Sequence, residues 1–166
     1  MGSQKDKPAP IIFTSGVFDI VHPGHITYLY DAAGIEENTN KYPCSLVVGV
    51  NSDESVRQYK PDSVVKRPFN HLAYRMECVA ALGCVDFVFP FDEANNQVNI
   101  KELRPKYYVK GGDYTKEDLS STPIVEAYGG EVVIIPITKN YSTTKTMERL
   151  ANEARELQDS YRSRYL

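Results

Sequence analysis

The chain has 166 residues, of which 42% are hydrophobic and 25% are charged, and its formal net charge is −3. This length predicts one domain that buries its own core without disulfide or metal staples. The slightly acidic balance argues against a general nucleic-acid binder or a protein held on an acidic membrane, because both are usually basic. We therefore expect neither nucleic acid nor membrane as a partner.

The cysteines and the N-terminal segment predict the cellular compartment of the protein. The three cysteines are widely spaced in apolar contexts, which is typical of buried thiols in a reducing compartment. Residues 1–10 are polar, contain two prolines and lack the apolar segment of a signal peptide, so residues 1–9 are interpreted as a flexible tail. No apolar stretch is long enough to span a bilayer, and we expect a cytoplasmic protein.

Apolar runs and amphipathic segments alternate along the rest of the chain. The first half predicts a strand over 11–18, a helix over 25–35, a strand over 46–50, a short helix over 53–59 and a helix over 72–82. The second half predicts a strand over 85–89, a helix over 97–103, a strand over 107–109, a helix from 122 to the glycines at 129–130, a strand over 131–137 and a helix over 142–157. Residues 158–166 are interpreted as a polar tail.

The strands lack polar alternation, and a helical segment follows each of them. This pattern predicts a single α/β domain with a parallel five-stranded sheet and helices on both faces. In such sheets the ligand lies beyond the carboxyl ends of the strands. Motifs at the strand–helix junctions are therefore the candidates for function.

The first junction carries the strongest signal. The segment Gly16-Val17-Phe18-Asp19 is followed by His22-Pro23-Gly24-His25, which holds two of the three histidines in the chain. The start of the following helix favours an anion, two imidazoles can donate hydrogen bonds to phosphate oxygens, and Gly24 lets a phosphate approach the backbone. Surface histidines at a helix cap are the alternative. A zinc site is disfavoured because His71 and the cysteines lack metal-ligand spacing.

Cations follow the second strand, which ends at Asn51. Lys60, Lys66 and Arg67 lie in a loop where they could neutralise incoming phosphates, although a solvated loop is the simpler interpretation for any single lysine. Arg75 lies in an otherwise apolar-faced helix, where it could pair with a carboxylate or reach toward a phosphate.

The last two junctions also carry polar or flexible groups. Gly111 and Gly112 would let backbone atoms contact a flat ligand such as a base, and Asp113 could accept from ribose hydroxyls or hold a metal. A tight turn with a capping aspartate is the alternative. Ser142, Thr143 and Thr144 begin the last helix, where they are either N-caps or phosphate donors.

These motifs together resemble a known superfamily. Gly16–Asp19 followed by His-x-Gly-His is similar to the signature of the nucleotidyltransferase superfamily, which includes cytidylyltransferases, adenylyltransferases and class I tRNA synthetases. The resemblance implies a Rossmann-like domain and direct in-line transfer of a nucleotidyl group. It also implies that His22 and His25 bind the triphosphate and stabilise charge at the α-phosphate.

The resemblance narrows within that superfamily. The run 109–114, the segment Gly129-Gly130-Glu131-Val132 and the Ser-Thr-Thr at 142–144 are most similar to the adenylyltransferase domain of bacterial ADP-heptose synthesis, over roughly residues 10–150. The competing group, glycerol-3-phosphate cytidylyltransferases, typically carries an arginine just before the Ser-Thr-Thr, and this chain has none there. That group also tends to have Gly-Asp-Asp or a similar sequence where this chain has Gly111-Gly112-Asp113. Both differences favour ATP over CTP as the nucleotide substrate. Two loops, 36–43 and 60–67, are slightly longer than usual, which leaves the acceptor sugar open.

What the resemblance implies for individual residues can be stated by role. The catalytic set would be His22, His25, Lys66 and Arg75, and the acceptor would lie against Asn51, Lys60 and Arg67. The nucleotide would be bound by Gly16, Val17, Phe18, Asp19, Gly24, Gly111, Gly112, Asp113, Ser142, Thr143 and Thr144. Mg²⁺ is expected mainly on the phosphates, with Asp19 or Asp113 as the candidate protein ligands, and a homodimer is expected at the level of the family.

A third hypothesis belongs to a different class. A nucleotide-binding sensor could share this fold without any turnover, because fold alone does not fix function. The histidine pair discriminates between the two classes, since a sensor has no need of both imidazoles.

Overall fold

The structure, a computed structural model, describes residues 9–35, 44–59, 66–93, 95–113, 115–136 and 142–165. Strands in this part of the chain are β1 (Ile11–Gly16), β2 (Ser45–Asn51), β3 (Phe87–Phe91), β4 (Tyr107–Gly111) and β5 (Glu131–Ile135). Helices in the same part are α1 (Pro23–Ala33), α2 (Asp53–Tyr59), α3 (Leu72–Ala80), α4 (Gln97–Leu103), α5 (Thr122–Glu126) and α6 (Thr143–Tyr165).

The five strands in the described residues form one parallel sheet in the order β3-β2-β1-β4-β5. β1 is the central strand, and the chain winds outward from it in both directions. This order is that of a doubly wound Rossmann-like sheet, whose ligand crevice lies at the switch point between the two halves. The predicted fold class is therefore confirmed, and the switch point falls between β1 and β4.

Apolar side chains fill both faces of the sheet, which explains why the strands show no polar alternation. On one face, Ile12, Val48 and Val109 pack with Leu29 of α1 and Val79 of α3. The other face carries a second cluster, which includes residues of α4 and α5: Phe13, Val47, Ile100, Tyr108 and Val125. Neighbouring strand residues alternate between these faces, so adjacent positions at a strand end face opposite sides of the crevice.

The strand predictions differ from the structure at several ends, and the physical reason is clear for β1 and β3. β1 stops at Gly16, not at 18, because Phe18 adopts a positive φ of 47° that a strand does not allow. β3 begins at Phe87, not at 85, because Val85 N–H bonds back to the carbonyl of Leu82 in a turn (2.9 Å). Asp86 then joins the chain to β2, accepting from the N–H of Leu46 at 2.7 Å.

The C-terminal segment differs most from the sequence-based prediction. α6 continues to Tyr165, whereas a tail was predicted from residue 158. Residues 158–165 contain no glycine or proline that would stop a helix. Nearer the start of α6, Arg149 Nε donates to Glu153 at i, i+4 (2.8 Å), which stabilises the helix. No helix among the described residues has the length and apolar character needed to cross a membrane.

The cysteines are less buried than predicted. Cys44 and Cys84 are half-buried and Cys78 is exposed, and none of the three forms a disulfide. Cys78 lies on α3 one position before Val79, so it faces away from the core that Val79 enters.

Candidate active site

A cavity of about 680 Å³ opens at the carboxyl ends of β1 and β4. Its walls come from the end of β1, the loop after it, the first turns of α1, the end of β4 and the start of α6, with Arg67 reaching in from the segment before α3. Volumes of this order are typical of sites for small molecules. The cavity thus lies at the switch point that the strand order defines.

The loop after β1 is held in an unusual backbone conformation. Phe18 has a positive φ of 47°, which is a genuine outlier for a bulky residue, and its side chain is buried. A Cβ on Gly16 would lie 3.0 Å from the Phe18 ring, so any larger residue there requires the ring to move. This tight turn brings the first turn of α1 into the cavity.

His22 and His25 form a stacked pair at the N-terminus of α1. Their ring centroids are 3.8 Å apart with an interplanar angle of 18°, and the Phe18 ring lies 5.3 Å from that of His25. His22 is the N-cap, and its Nδ1 accepts from the backbone N–H of His25 at 3.3 Å. Because Nδ1 accepts, a neutral His22 carries its proton on Nε2.

Burial keeps this pair neutral near pH 7. Burial lowers the pKa of His25 to about 4, with further lowering from the charges of His22 and Arg67, although the backbone at Ile20 raises it. Burial also lowers the pKa of His22, against a backbone hydrogen bond that raises it. Near pH 7 both imidazoles are therefore neutral N–H donors, and positive charge in the cavity comes from other side chains.

Asp19 anchors Arg67 at the cavity wall. The Asp19 side chain is fully buried and accepts from Arg67 Nε (3.3 Å) and from the backbone N–H groups of Phe69 and Asn70 (both 2.9 Å). The Asn70 side chain returns a bond to the Asp19 carbonyl at 2.6 Å. Arg67 also reaches Thr144 Oγ1 at 3.5 Å, so it links this loop to the start of α6.

This arrangement disfavours Asp19 as a metal ligand. Its carboxylate is fully buried and already accepts from three donors. Asp113, the other candidate ligand, is exposed and does not line the cavity. Across the described ranges, no three His, Cys, Asp or Glu side chains gather into a metal-binding group.

The start of α6 forms a third wall. Ser142, Thr143 and Thr144 all line the cavity. Thr143 is buried and donates to the Ile20 carbonyl at 3.3 Å, which fixes α6 against the loop that carries the histidines. The N-termini of α1 and α6 therefore meet at the same cavity, and both favour an anion there.

The end of β4 supplies a close contact with α1. A Cβ on Gly111 would lie 3.0 Å from the Tyr28 ring, and Gly112 is buried with a φ of 149°. Tyr28 donates to the carbonyl of Val109 at 3.2 Å, and burial raises its pKa, so the hydroxyl stays protonated. The glycine pair predicted from the sequence therefore shapes the wall, with Gly111 lining the cavity itself.

Sequence reasoning missed four residues that line the cavity: Ser15, Tyr28, Lys110 and Leu119. Lys110 Nζ lies 3.3 Å from Ser15 Oγ, and Ser15 also accepts from the buried Asn96 at 2.6 Å. Lys110 immediately precedes the glycine pair at a strand end, which was an available signal for a cation at the site. Nothing in the local sequence points to Asn96, because its partner is 81 residues away.

Arg75 is buried in a hydrogen-bond network next to the cavity wall. It is 1% exposed and donates to the carbonyls of Asn70 (3.0 Å), Val17 (2.6 Å) and Asn51 (2.7 Å) and to Asp53 Oδ1 (2.8 Å). It does not line the cavity. Its charge joins the ends of β1 and β2 to α3, and its bond to Asp53 is the carboxylate pairing that the sequence left open, which supports a structural role.

The remaining predicted residues are dispersed. Asn51 does not line the cavity, and its side chain donates to Ser55 Oγ at 3.1 Å. Lys66 is exposed outside the cavity lining, and Lys60 lies outside the described residues. Of the two predicted acceptor residues that the structure describes, Asn51 and Arg67, only Arg67 lies at the cavity.

Sequence comparison agrees with the geometry of this site. A family model described as cytidylyltransferase-like matches residues 13–155. The chain belongs to this cytidylyltransferase-like family. It is 46% identical over 143 residues to a protein from Bordetella bronchiseptica named D-beta-D-heptose 1-phosphate adenylyltransferase, a match that covers 86% of this chain and 83% of that protein.

Other relatives share part of their length with the chain. The bifunctional protein HldE of Hydrogenovibrio crunogenus is 41% identical over 146 residues, which is 88% of this chain but 28% of that protein. The structure of a lipopolysaccharide core biosynthesis protein from Thermoplasma volcanium superposes with a TM-score of 0.59 at 26% identity, over 81% of this chain and all of that one. A Streptococcus pneumoniae protein described as macrolide-efflux shares the fold, with a TM-score of 0.57 at 22% identity over 87% of this chain and 54% of that one.

The structural role of Arg75 predicts a loss of stability. Replacement by Met leaves three carbonyls and Asp53 without their donor, and we expect the free energy of unfolding in urea to fall by about 3–5 kcal/mol. The matched control is Arg57→Met, an exposed arginine paired with Glu54 at 3.1 Å, which should change stability by less than about 0.5 kcal/mol. Normal stability in Arg75→Met, together with weakened nucleotide binding, would restore the catalytic assignment.

The lowered pKa of His25 predicts a pH dependence of stability. The unfolded chain binds the His25 proton near its ordinary pKa of 6.5 and the folded protein only near 4. The stabilising contribution is therefore complete above 6.5 and is lost as the pH falls from 6.5 toward 4. An NMR titration of the imidazole carbons and urea denaturation across that range measure both effects, with His25→Gln expected to flatten the curve. A His25 resonance that titrates at its ordinary pKa would contradict the burial argument.

Proposed function

We propose that this protein is an adenylyltransferase that transfers AMP from ATP to a heptose 1-phosphate and releases pyrophosphate. The observation that carries the proposal is the stacked His22–His25 pair at the start of α1, facing the start of α6 across one cavity. The 46% identity to a protein named as a heptose 1-phosphate adenylyltransferase supports the choice of both substrates.

The reaction needs no protein nucleophile. An oxygen of the acceptor phosphate attacks the α-phosphorus of ATP and forms the new P–O bond, while the bond from that phosphorus to the bridging oxygen of the β-phosphate breaks. The electron pair leaves with pyrophosphate, so the products are an ADP-sugar and pyrophosphate. Positioning of the two phosphates and stabilisation of the developing charge are the main tasks left to the protein.

The roles follow from the walls of the cavity. His22 and His25, as neutral donors, would hydrogen-bond the triphosphate at its α-phosphate, and Arg67 would supply a fixed positive charge. Ser142, Thr143 and Thr144, at the N-terminus of a 23-residue helix, would bind the β- and γ-phosphates. Gly111, close to Tyr28, would form the flat surface for the nucleoside.

We also propose that Mg²⁺ enters with the phosphates and is held mainly by them. The chemistry of the donor set supports this, because Asp19 is the one carboxylate among the described residues of the cavity lining and its oxygens are already engaged. Hydroxyls of Ser142 and Thr144 are the neighbouring protein oxygens that fit such an ion. When bound, the ion would neutralise charge on the triphosphate.

A cytoplasmic homodimer completes the proposal. Exposed apolar side chains on α6 support self-association, since Leu150, Leu157 and Tyr161 are 58%, 73% and 63% exposed. Sedimentation equilibrium of the full chain and of Leu157→Glu tests it, and a monomeric wild type would contradict it.

The substrate assignment is tested by a screen for pyrophosphate release. ATP, CTP, GTP and UTP are each combined with heptose 1-phosphate, other sugar phosphates and glycerol 3-phosphate. We expect turnover with ATP and heptose 1-phosphate. Preferred turnover of CTP with an alcohol phosphate would support a cytidylyltransferase instead, and ATP binding without turnover of any pair would support the sensor.

The mechanism is tested at His25. His25→Asn removes the second imidazole donor, and we expect kcat to fall by about 10²- to 10³-fold, the usual loss for one transition-state donor. The matched control is His71→Asn, because the His71 side chain is 83% exposed and lies outside the cavity lining. Full activity in His25→Asn with unchanged thermal stability would exclude the proposed mechanism.

A further inference from the structure

A second polar cluster lies at the cavity, made of Ser15, Lys110 and Asn96. Ser15 follows Thr14, which contacts Tyr28 of α1, and Lys110 precedes Gly111, which also contacts Tyr28. Since neighbouring strand residues alternate between faces, Ser15 and Lys110 are on the opposite face, toward α4 and α5. The cluster is therefore across the sheet edge from the histidine pair.

Lys110 brings a positive charge into this cluster without a counter-charge. It is half-buried, donates to Ser15 Oγ at 3.3 Å and lies 5.6 Å from the centre of the Tyr108 ring. Among the residues that the structure describes, no carboxylate forms an ion pair with it. An ammonium has three N–H donors, so two remain for an anionic ligand in the cavity.

Asn96 holds the cluster in place. Asparagine is a favoured N-cap, and Asn96 occupies that position on α4, yet its side chain makes no capping bond. It is 7% exposed, and its Nδ2 donates instead to Ser15 Oγ at 2.6 Å. Asn95 Oδ1 accepts from the N–H of Gln97 at the start of α4 (3.1 Å), so the Asn96 side chain is left to hold the hydroxyl beside Lys110.

We infer that Lys110, with Ser15, binds the phosphate of the acceptor sugar, and that Asn96 positions this pair. The inference rests on the proposed function. In-line transfer requires the attacking oxygen to approach the α-phosphorus from the side opposite to the leaving pyrophosphate. The starts of α1 and α6 take the triphosphate on one side of the sheet edge, and the Lys110 cluster is the cationic site on the other side.

The test compares Lys110→Met with a matched control. The control is Lys106→Met, at the position just before the start of β4. Lys106 is exposed, and its Nζ lies 5.0 Å from the centre of the Tyr107 ring. We expect Lys110→Met to raise KM for heptose 1-phosphate by about 10- to 100-fold, the value of a charge-assisted hydrogen bond, with KM for ATP nearly unchanged. Lys110→Arg should recover part of the loss, and Lys106→Met should match the wild type.

Asn96→Ala tests the positioning role. Its KM for heptose 1-phosphate should rise while KM for ATP stays constant, which a general loss of stability would not produce. A rise in KM for ATP in Lys110→Met, or a fall in kcat with both KM values unchanged, would overturn the assignment of Lys110 to the acceptor phosphate.

A direct binding measurement separates this inference from the proposed function. Calorimetry on enzyme loaded with α,β-methylene ATP, which cannot transfer AMP, measures binding of heptose 1-phosphate and of the sugar without its phosphate. Lys110→Met should weaken only the phosphorylated sugar. An inactive wild type would contradict the proposed function, whereas equal binding of heptose 1-phosphate by Lys110→Met and wild type would overturn the inference.

Discussion

The buried Asp19 carboxylate is the interaction on which the rest of the cavity depends. It lies in the loop after β1 and binds a segment about fifty positions later in sequence, through Arg67 and the backbone N–H groups of Phe69 and Asn70. A buried charge is costly unless it is paired and hydrogen-bonded, and here every donor comes from that one segment. The pairing thus fixes Arg67 at the cavity wall. From there Arg67 donates to Thr144 Oγ1 at the start of α6 (3.5 Å).

Electrostatic roles in the cavity are divided between neutral and charged donors. Burial lowers the pKa of His25 to about 4, so the imidazoles contribute neutral N–H groups. The N-termini of α1 and α6 also face the cavity and add no net charge. Fixed charge comes from Arg67 and Lys110, whose side chains are anchored by Asp19 and Ser15. Anchored donors need little reorganisation when charge develops, which is the condition for electrostatic stabilisation of a transition state.

The sequence predicted the sheet and the histidine junction because both are local signals. Apolar runs mark the strands, and His22 and His25 are three residues apart on one helix turn. The network around Arg75 was not predicted because its partners at Val17, Asn51 and Asp53 are 22 to 58 residues away, and no local pattern reveals a buried hydrogen-bond network. Lys110 has a local signal, its place just before the glycine pair, but its contact with Ser15, 95 residues earlier, has none.

Strand alternation explains how one sheet edge can keep two phosphorylated substrates apart. Gly111 contacts Tyr28 on the α1 face, while its neighbour Lys110 joins Ser15 on the face of α4 and α5. Two neighbouring residues of β4 thus face different sites: Gly111 faces the expected nucleoside surface, and Lys110 belongs to the cationic cluster. Two anionic groups that must react repel one another in solution, and opposed cationic sites on a rigid edge offset that repulsion while they align the groups. In the proposed reaction the parallel sheet would therefore support the cavity and also align the attacking phosphate with the α-phosphorus.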